Sequence, residues 1–351
     1  MEKVTVLIVD DSALVRQLLA AILSRDPQIE VVGAAPDPLV ARQMIKDLNP
    51  RVITLDVEMP RMDGIAFLEK IMRLRPMPVV MVSTLTQKGA DTTLRALEIG
   101  AVDFVAKPTM DLQSGLEAMA AELVAKVKAA AQARVRPRSE QAISADRPPA
   151  ARMGVMSSDR LLAIGASTGG VEAITEVLRG MPADCPPIVI TQHMPPQFTT
   201  SFARRLDTLA APNVAEAQDG ERLARGHVRV APGGHHLEVL RDAGGWVCRI
   251  HEGAAVSGHR PSVDVLFSSV AQAAGSSAIG VILTGMGRDG AQGLLAMRQA
   301  GARTVGQTEA SCVVYGMPKA AFEVGGVEKQ VALEKIAENV LALCRIGKTA
   351  G

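Results

Sequence analysis

The chain has few aromatic side chains and almost no net charge. Aromatic residues make up 2% of its 351 residues, and 38 Lys and Arg against 37 Asp and Glu leave a formal net charge of +1. Binding to phosphate backbones needs an excess of basic residues, and single-stranded nucleic acid stacks on exposed aromatic rings. The composition therefore argues against nucleic acid as a partner. It also predicts cores built from aliphatic residues and methionine.

Long apolar runs are missing as well. No run reaches the roughly 18 residues of a membrane helix, and the apolar run at residues 4–9 ends at two aspartates. This pattern predicts no membrane insertion and no secretory signal, so we expect a cytoplasmic protein. The four cysteines show no C-x-x-C spacing, which favours reduced thiols over disulfides or a zinc site.

Glycine, histidine and cysteine are unevenly distributed. Only 5 of the 31 glycines lie in residues 1–130, and all six histidines and all four cysteines come later. Residues 131–159 are rich in Pro, Arg, Ser and Ala and have no sustained apolar period, which is typical of a linker. We therefore predict two domains, at residues 1–130 and 160–351. Two domains also fit a length prior of roughly 150 residues each.

Both predicted domains alternate short apolar runs with amphipathic stretches. Unbroken apolar strands between helices indicate a parallel sheet that is covered on both faces. Two further runs flank a turn at residues 242–245, which predicts an antiparallel hairpin. The predicted fold class is α/β, with two doubly wound parallel-sheet domains, of which the second is Rossmann-like and contains a hairpin. The strand-like runs lie at residues 4–9, 30–35, 51–56, 78–83, 103–107, 161–167, 187–193, 227–232, 237–241, 246–251, 278–285 and 302–305.

Charged and polar side chains follow the strands of the first domain. The carboxyl ends of parallel strands meet at one edge of a sheet, where functional groups collect. Clustered carboxylates repel one another unless a cation neutralises them, and Mg²⁺ prefers such hard oxygen ligands. A carboxylate beside Mg²⁺ and an ammonium group is placed to attack a phosphoryl group. The side chains that this edge collects are Asp10, Asp11, Asp56, Ser83 and Lys107.

Two other interpretations of these residues remain open at this point. Asp10 or Asp11 is suited to cap a helix over residues 12–25 without any further role. A Mg²⁺-dependent phosphatase is the second alternative, although a D-x-D motif does not follow a strand here.

The first domain resembles a response-regulator receiver domain, which has a flavodoxin-like fold. The resemblance rests on VDDS at residues 9–12, LDVEMPRMDG at 55–64, Ser83 and the pair Lys107–Pro108. It implies that a histidine kinase phosphorylates Asp56 and that the bond before Pro108 is cis.

The same resemblance implies a metal site and a switch. The implied Mg²⁺ ligands are Asp10, Asp11, Asp56 and the backbone carbonyl of Glu58. The implied switch residues are Ser83, Lys107 and Phe104.

A glycine-rich turn follows the first strand of the second domain. Its sequence, GASTGG at residues 165–170, fits G-x-S-x-G at a strand-to-helix turn. Such a turn projects the Ser167 hydroxyl at the sheet edge, and the helix N-terminus offers N–H groups to an oxyanion. A dinucleotide-binding turn is the alternative, but G-x-G-x-x-G is absent and no clear acidic ribose ligand follows the next strand.

Ser167 needs a base and an orienting acid. His193 ends the strand-like run that lies 26 residues downstream, which fits one βαβ crossover to the same edge. Asp289 follows a third strand in a glycine-rich turn, where a helix cap for residues 291–300 is the alternative role. The chain order Ser, His, Asp differs from that of α/β-hydrolases, but catalytic triads vary in order.

The other histidines give weaker signals. His259 is a rival base or a substrate contact. His235 and His236 are adjacent, but neighbours on a strand point to opposite faces and no metal-binding motif includes them. His227 and His251 lie in strand-like runs, and we expect structural roles for them.

Residues 160–346 resemble the catalytic domain of chemotaxis protein-glutamate methylesterases. The matching motifs are IGASTGG, QHMP, APGGHH, SGHRPSVDVLF, TGMGRDG and VVYGMPKAA. The resemblance implies Ser167 as nucleophile, His193 as base, Asp289 as orienting acid and the backbone N–H of Met286 as oxyanion donor. It implies no cofactor in this domain. Thr308 departs from relatives that often carry Asp, but it lies outside the implied triad.

The two resemblances together imply a phosphorylation-activated hydrolase. Its implied substrates are glutamyl methyl esters on chemoreceptors, with release of methanol, and receptor glutamines, which it deamidates. In that family the resting receiver domain packs over the catalytic cleft. We expect a monomer. The alternative is a receiver domain that controls a non-catalytic nucleotide-binding or transcriptional output, although the second part lacks a basic helix.

Overall fold

The computed structural model describes residues 3–59, 63–84, 86–107, 113–135 and 159–345. The chain divides into two compact units, Met1–Ser144 and Ala145–Gly351. Most of the predicted linker and the bond before Pro108 lie outside the described residues, so both remain predictions. Within the described part of the chain, no helix is long and apolar enough to cross a membrane. All four cysteines are free and buried, as expected.

The first unit contains a five-stranded parallel sheet in the order β2-β1-β3-β4-β5. This is the flavodoxin-like order, so the predicted doubly wound fold is confirmed. The order reverses at β1 and β3, and ligands bind beyond the carboxyl ends of such strands. The strands are β1 (Val4–Val9), β2 (Ile29–Ala35), β3 (Val52–Asp56), β4 (Val79–Ser83) and β5 (Asp103–Ala106).

In the part of this unit that the structure describes, five helices pack on the sheet, and its central strands β1, β3 and β4 are largely apolar, as expected for a sheet covered on both faces. Ser12 caps the first helix, because its hydroxyl accepts a hydrogen bond from the Val15 N–H. The alternative of Asp10 or Asp11 as the cap is therefore wrong. The helices are α1 (Ala13–Leu23), α2 (Pro38–Leu48), α3 (Gly64–Leu74), α4 (Gln87–Ile99) and α5 (Gln113–Ala130).

The second unit contains a seven-stranded sheet in the order β14-β13-β12-β6-β7-β9-β8, with every pair of strands parallel. The chain leaves the central strand β6 towards β7 on one side and later returns to β12 on the other. Three neighbouring strands, β12, β6 and β7, thus end at the switch point of the sheet. The strands are β6 (Leu161–Ala166), β7 (Ile188–Gln192), β8 (Asn213–Glu216), β9 (His227–Val230), β10 (His236–Asp242), β11 (Gly245–His251), β12 (Ala278–Ile282), β13 (Arg303–Gln307) and β14 (Lys329–Val331).

The predicted hairpin is confirmed as the antiparallel pair β10 and β11, which forms its own two-stranded sheet. Its buried face packs on α8, where the Val239 N–H donates to the Ser269 hydroxyl at 2.9 Å. The chain between the hairpin and α8 is thereby held near the sheet edge. The helices of this unit are α6 (Gly170–Arg179), α7 (Pro196–Leu209), α8 (Val263–Ala274), α9 (Ala291–Gln299), α10 (Met317–Glu323) and α11 (Leu333–Cys344).

Candidate active site and acidic site

The predicted acidic residues of the first unit come together. Asp10 and Asp56 are buried and Asp11 is exposed, and one oxygen of each lies within 4.8 Å of the others. The Lys107 ammonium lies 2.8 Å from Asp56 Oδ2 and 3.2 Å from Asp10 Oδ2. Burial raises the pKa of Asp56 to about 6, although the hydrogen bond from Lys107 opposes it. One ammonium group thus contacts the two buried carboxyl groups of a cluster of three.

The donor chemistry of this cluster fits Mg²⁺. Asp10 Oδ1 accepts the Ser12 N–H at 2.9 Å, and Asp56 Oδ1 accepts the Glu58 N–H at 3.2 Å. These bonds fix the orientation of both buried carboxylates. Converging carboxylate oxygens are the ligands that a hard divalent cation prefers. Among the described residues, this is the only such group of three acidic, histidine or cysteine side chains.

The three switch candidates have different surroundings. Lys107 contacts the carboxylates, whereas the buried Ser83 hydroxyl donates to the Gly89 carbonyl of α4 at 3.3 Å. Phe104 is buried on β5, and the Lys126 ammonium of α5 lies 4.9 Å from its ring centroid. The sequence did not indicate this cation–π contact.

Ser167 lies in the tight turn between β6 and α6, as predicted. Its N–H donates to the Thr284 carbonyl at 3.0 Å, and Gln192 Nε2 donates to its carbonyl at 2.9 Å. Gly169 has a φ of +77°, a conformation that favours glycine. The turn is therefore fixed from both neighbouring strands, and Ser167 remains partly exposed.

His193 and Ser167 occupy equivalent positions on adjacent strands. Ala166 and Gln192 are register partners, so the next residue of each strand is Ser167 or His193. His193 Nε2 lies 2.8 Å from Asp289 Oδ2. The buried His193 Nδ1 has no hydrogen-bond partner among the residues that the structure describes. The structure thus pairs the predicted base and acid and leaves Nδ1 as the available nitrogen.

The Asp289 carboxylate is held by the start of α8. It accepts hydrogen bonds from the Ser262 hydroxyl at 2.8 Å, the Val263 N–H at 2.7 Å and the Asp264 N–H at 3.1 Å. Burial acts to raise its pKa, but the hydrogen bonds from His193, Val263 and Ser262 outweigh burial and lower it to about 2. The helix N-terminus favours the same anion. Asp289 is therefore an ionised partner for His193.

The alternative of Asp289 as the cap of the following helix is wrong. Gly290 is the N-cap of α9, and no side chain caps that helix. Asp289 instead binds the N-terminus of α8, which precedes it in the chain.

The loop after β12 lies against Ser167. A Cβ on Gly285 would lie 2.9 Å from Ser167 Cβ, so this position needs glycine. Met286, the predicted oxyanion donor, is the next residue and is partly buried. This arrangement brings the Met286 backbone beside the Ser167 turn.

Of the five remaining histidines, one stacks on His193 and the other four have different partners. His259 stacks on His193, with ring centroids 3.6 Å apart and an angle of 11° between the planes. His236 is buried, and its Nδ1 accepts the Ser262 N–H at 3.2 Å. His235 Nε2 lies 3.1 Å from Glu252 Oε1 at a partly exposed position. His227 contacts Arg229 and His251 accepts the Gly253 N–H, as structural residues do.

Two family models match the chain, the response regulator receiver domain over residues 6–120 and CheB methylesterase over residues 162–340. The chain belongs to the CheB methylesterase family. A protein-glutamate methylesterase/protein-glutamine glutaminase of Caulobacter vibrioides is 62% identical over 98% of both chains. One from Pseudomonas aeruginosa is 54% identical over 96% of both.

A solved structure gives the same assignment for the second unit. The CheB methylesterase catalytic domain of Thermotoga maritima has a TM-score of 0.52 and 37% identity, and covers 53% of this chain and all of its own. Membership of the CheB family favours the hydrolase interpretation of the Ser167 turn. The alternatives of a nucleotide-binding or transcriptional output find no support in these comparisons.

Proposed function

We propose that the chain is a phosphorylation-controlled serine hydrolase of chemoreceptors. It hydrolyses glutamyl methyl esters to glutamate and methanol, and it deamidates selected receptor glutamines with release of ammonia. The observation that carries this proposal is the hydrogen bond between His193 and the buried Asp289 beside Ser167. Ser167 and His193 each lie one residue beyond a register pair of adjacent strands, Ala166 and Gln192. The names of the family relatives supply the substrate class.

In the proposed reaction, Ser167 Oγ attacks the ester carbonyl while His193 Nδ1 takes the hydroxyl proton. The carbon–oxygen bond to the methoxy group then breaks, and His193 returns the proton to give methanol and a seryl ester. Water attacks this acyl-enzyme with His193 again as base, and glutamate and free Ser167 result. The ionised Asp289 stabilises the transient imidazolium.

Backbone N–H groups stabilise the oxyanion in each tetrahedral intermediate. The Met286 N–H and the N-terminus of α6 are the donors that we propose, because both adjoin the Ser167 turn. Preformed donors of this kind need no reorganisation during the reaction.

We propose that Asp56 is phosphorylated by a chemotaxis histidine kinase in the cytoplasm, and that the chain acts as a monomer. Asp10, Asp11, Asp56 and the Glu58 carbonyl would hold Mg²⁺, which neutralises phosphoryl oxygens when bound. The new charge draws Lys107 and Ser83 towards it and alters the position of Phe104. This local change relieves inhibition of the hydrolase.

The test is methanol release from methylated receptor membranes, with and without Mg²⁺ and a small phosphodonor. The proposal predicts release that increases with the phosphodonor, and glutamate in place of receptor glutamine by mass spectrometry. Equal release with and without the phosphodonor would contradict regulation by phosphorylation, and no release at all would contradict the proposed hydrolase activity.

A further inference from the structure

A tight turn holds His259 in one orientation. Val256 and His259 exchange two backbone hydrogen bonds, of 3.1 and 2.9 Å. The two residues between them, Ser257 and Gly258, have φ values of +54° and +81°. Positive φ values at both central residues are those of a type I′ turn, a common two-residue loop of β-hairpins. His259 therefore has a backbone position that is fixed locally.

The His259 ring covers one face of the His193 ring. The centroid separation of 3.6 Å and the 11° angle between planes are those of stacked rings. Asp289 binds Nε2 at the edge of the same imidazole. One hydrogen bond alone leaves an imidazole free to tilt about that bond, and the stacked ring removes this freedom. Nδ1 is then held in a single direction.

The segment that carries His259 also holds the acid. Three residues further on, Ser262 donates its hydroxyl to Asp289 Oδ1, and its N–H donates to the buried His236. Residues 256–262 thus contact both members of the base–acid pair.

We propose that His259 is a positioning residue that fixes the plane of the His193 imidazole by stacking. It transfers no proton, and its planar ring is the property that matters. The proposal rests on the proposed function, because it assigns His193 Nδ1 as the atom that takes the proton from Ser167. Misplacement of a reacting group by about 1 Å can cost on the order of 100-fold in rate. Loss of the stacked ring is therefore expected to lower kcat.

The experiment compares three variants of the full-length protein in the presence of Mg²⁺ and phosphodonor. His259→Ala removes the ring, and His259→Phe keeps a planar ring without titratable nitrogens. His235→Ala is the matched control, because His235 is a partly exposed histidine that binds Glu252. Methanol release from methylated receptor membranes gives kcat and KM. The rate at which a serine-directed fluorophosphonate labels Ser167 gives a second readout that needs no receptor.

We expect His259→Ala to lower kcat and the labelling rate roughly 10- to 100-fold with little change in KM. His259→Phe should keep both within about threefold of wild type, and His235→Ala should leave both unchanged. The proposal is overturned if His259→Phe is as slow as His259→Ala, which would require a ring nitrogen. It is also overturned if His259→Ala raises KM alone, or if it has no effect. If wild type releases no methanol, the proposed function fails, whereas the labelling rates still decide the role of His259.

Discussion

His193 binds Asp289 through Nε2, at 2.8 Å, and not through Nδ1. In the serine protease arrangement the aspartate binds Nδ1 and Nε2 faces the serine. Here Asp289 binds the other nitrogen, and Nδ1 is the buried atom without a hydrogen-bond partner among the described residues. Because the ionised Asp289 can only accept a hydrogen bond, the geometry places a ring proton of His193 on Nε2. We expect ¹⁵N NMR of the histidines to find this tautomer, and an Nδ1–H form of His193 would contradict the assignment.

The low pKa of Asp289 predicts a pH-dependent stability. Its folded pKa of about 2 lies below the ordinary value of 3.8, so ionised Asp289 stabilises the folded state. This contribution, on the order of 2 kcal/mol, is complete above about pH 4 and is lost as the pH falls towards 2. The difference in unfolding free energy between wild type and Asp289→Asn should be constant from pH 7 to 5 and shrink below pH 4.

The single tryptophan makes this measurement specific to the second unit. Trp246 is buried beside α8, and its Nε1 donates to the Ala273 carbonyl. Urea unfolding followed by its fluorescence therefore reports on the unit that contains Asp289. A difference that grows as the pH falls would show a raised pKa and contradict the prediction.

Ser262 should affect stability and activity together. Its hydroxyl caps α8 by accepting the Val265 N–H and also donates to Asp289. Ser262→Ala should cost about 0.5–2 kcal/mol of stability, the usual cost of a lost cap, and should also lower kcat. Ser262→Thr should restore most of both.

Ser269→Ala is the control for that experiment. The Ser269 hydroxyl accepts the buried Val239 N–H and donates to the Leu266 carbonyl, and neither bond includes His193 or Asp289. Its loss should reduce the unfolding free energy by a similar amount without lowering kcat in the folded protein. Equal losses of kcat in Ser262→Ala and Ser269→Ala would show that Ser262 has no specific effect on catalysis.

The second unit should fold alone. A fragment that starts at Met153 is cut inside the predicted linker, and residues 145–351 form a compact unit. We expect a soluble fragment with cooperative unfolding and with more activity than the unphosphorylated full-length protein. An aggregated fragment would move the predicted boundary, and a fragment no faster than the full-length protein would contradict inhibition by the receiver domain.

Asp56→Asn tests the control by phosphorylation. The asparagine keeps the size of the side chain but removes the carboxylate that accepts the phosphoryl group. Basal methanol release should remain, and stimulation by Mg²⁺ with a small phosphodonor should disappear. Full stimulation of Asp56→Asn would exclude Asp56 as the switch.

Most of the sequence prediction rested on the alternation of apolar strand-like runs with amphipathic stretches, which is typical of a parallel sheet. Most candidate residues end or follow an apolar strand, and the carboxyl ends of parallel strands share one edge. That rule alone brings Lys107 to Asp56 and places His193 one step beyond the Ala166–Gln192 register pair. The strands β8 (NVAE) and β14 (KQV) were not predicted, because neither forms an unbroken apolar run.

Contacts between distant segments could not be read from local patterns. Asp289 sits just before α9, so its sequence position suggested a cap for that helix, whereas its carboxylate binds α8. The stacking of His259 on His193 joins residues that are 66 positions apart in the sequence. The serine at residue 262, before an apolar helical stretch, was the one available signal for the start of α8.

We propose Ser167 as the nucleophile of a glutamyl ester hydrolase. The most direct measurement is methanol release from methylated receptor membranes by wild type, Ser167→Ala and a matched control, Ser268→Ala on α8. We expect phosphodonor-activated wild type and Ser268→Ala to release methanol at similar rates, whereas the rate of Ser167→Ala should fall by several orders of magnitude with its thermal unfolding unchanged. Release at the wild-type rate by folded Ser167→Ala would contradict this proposal.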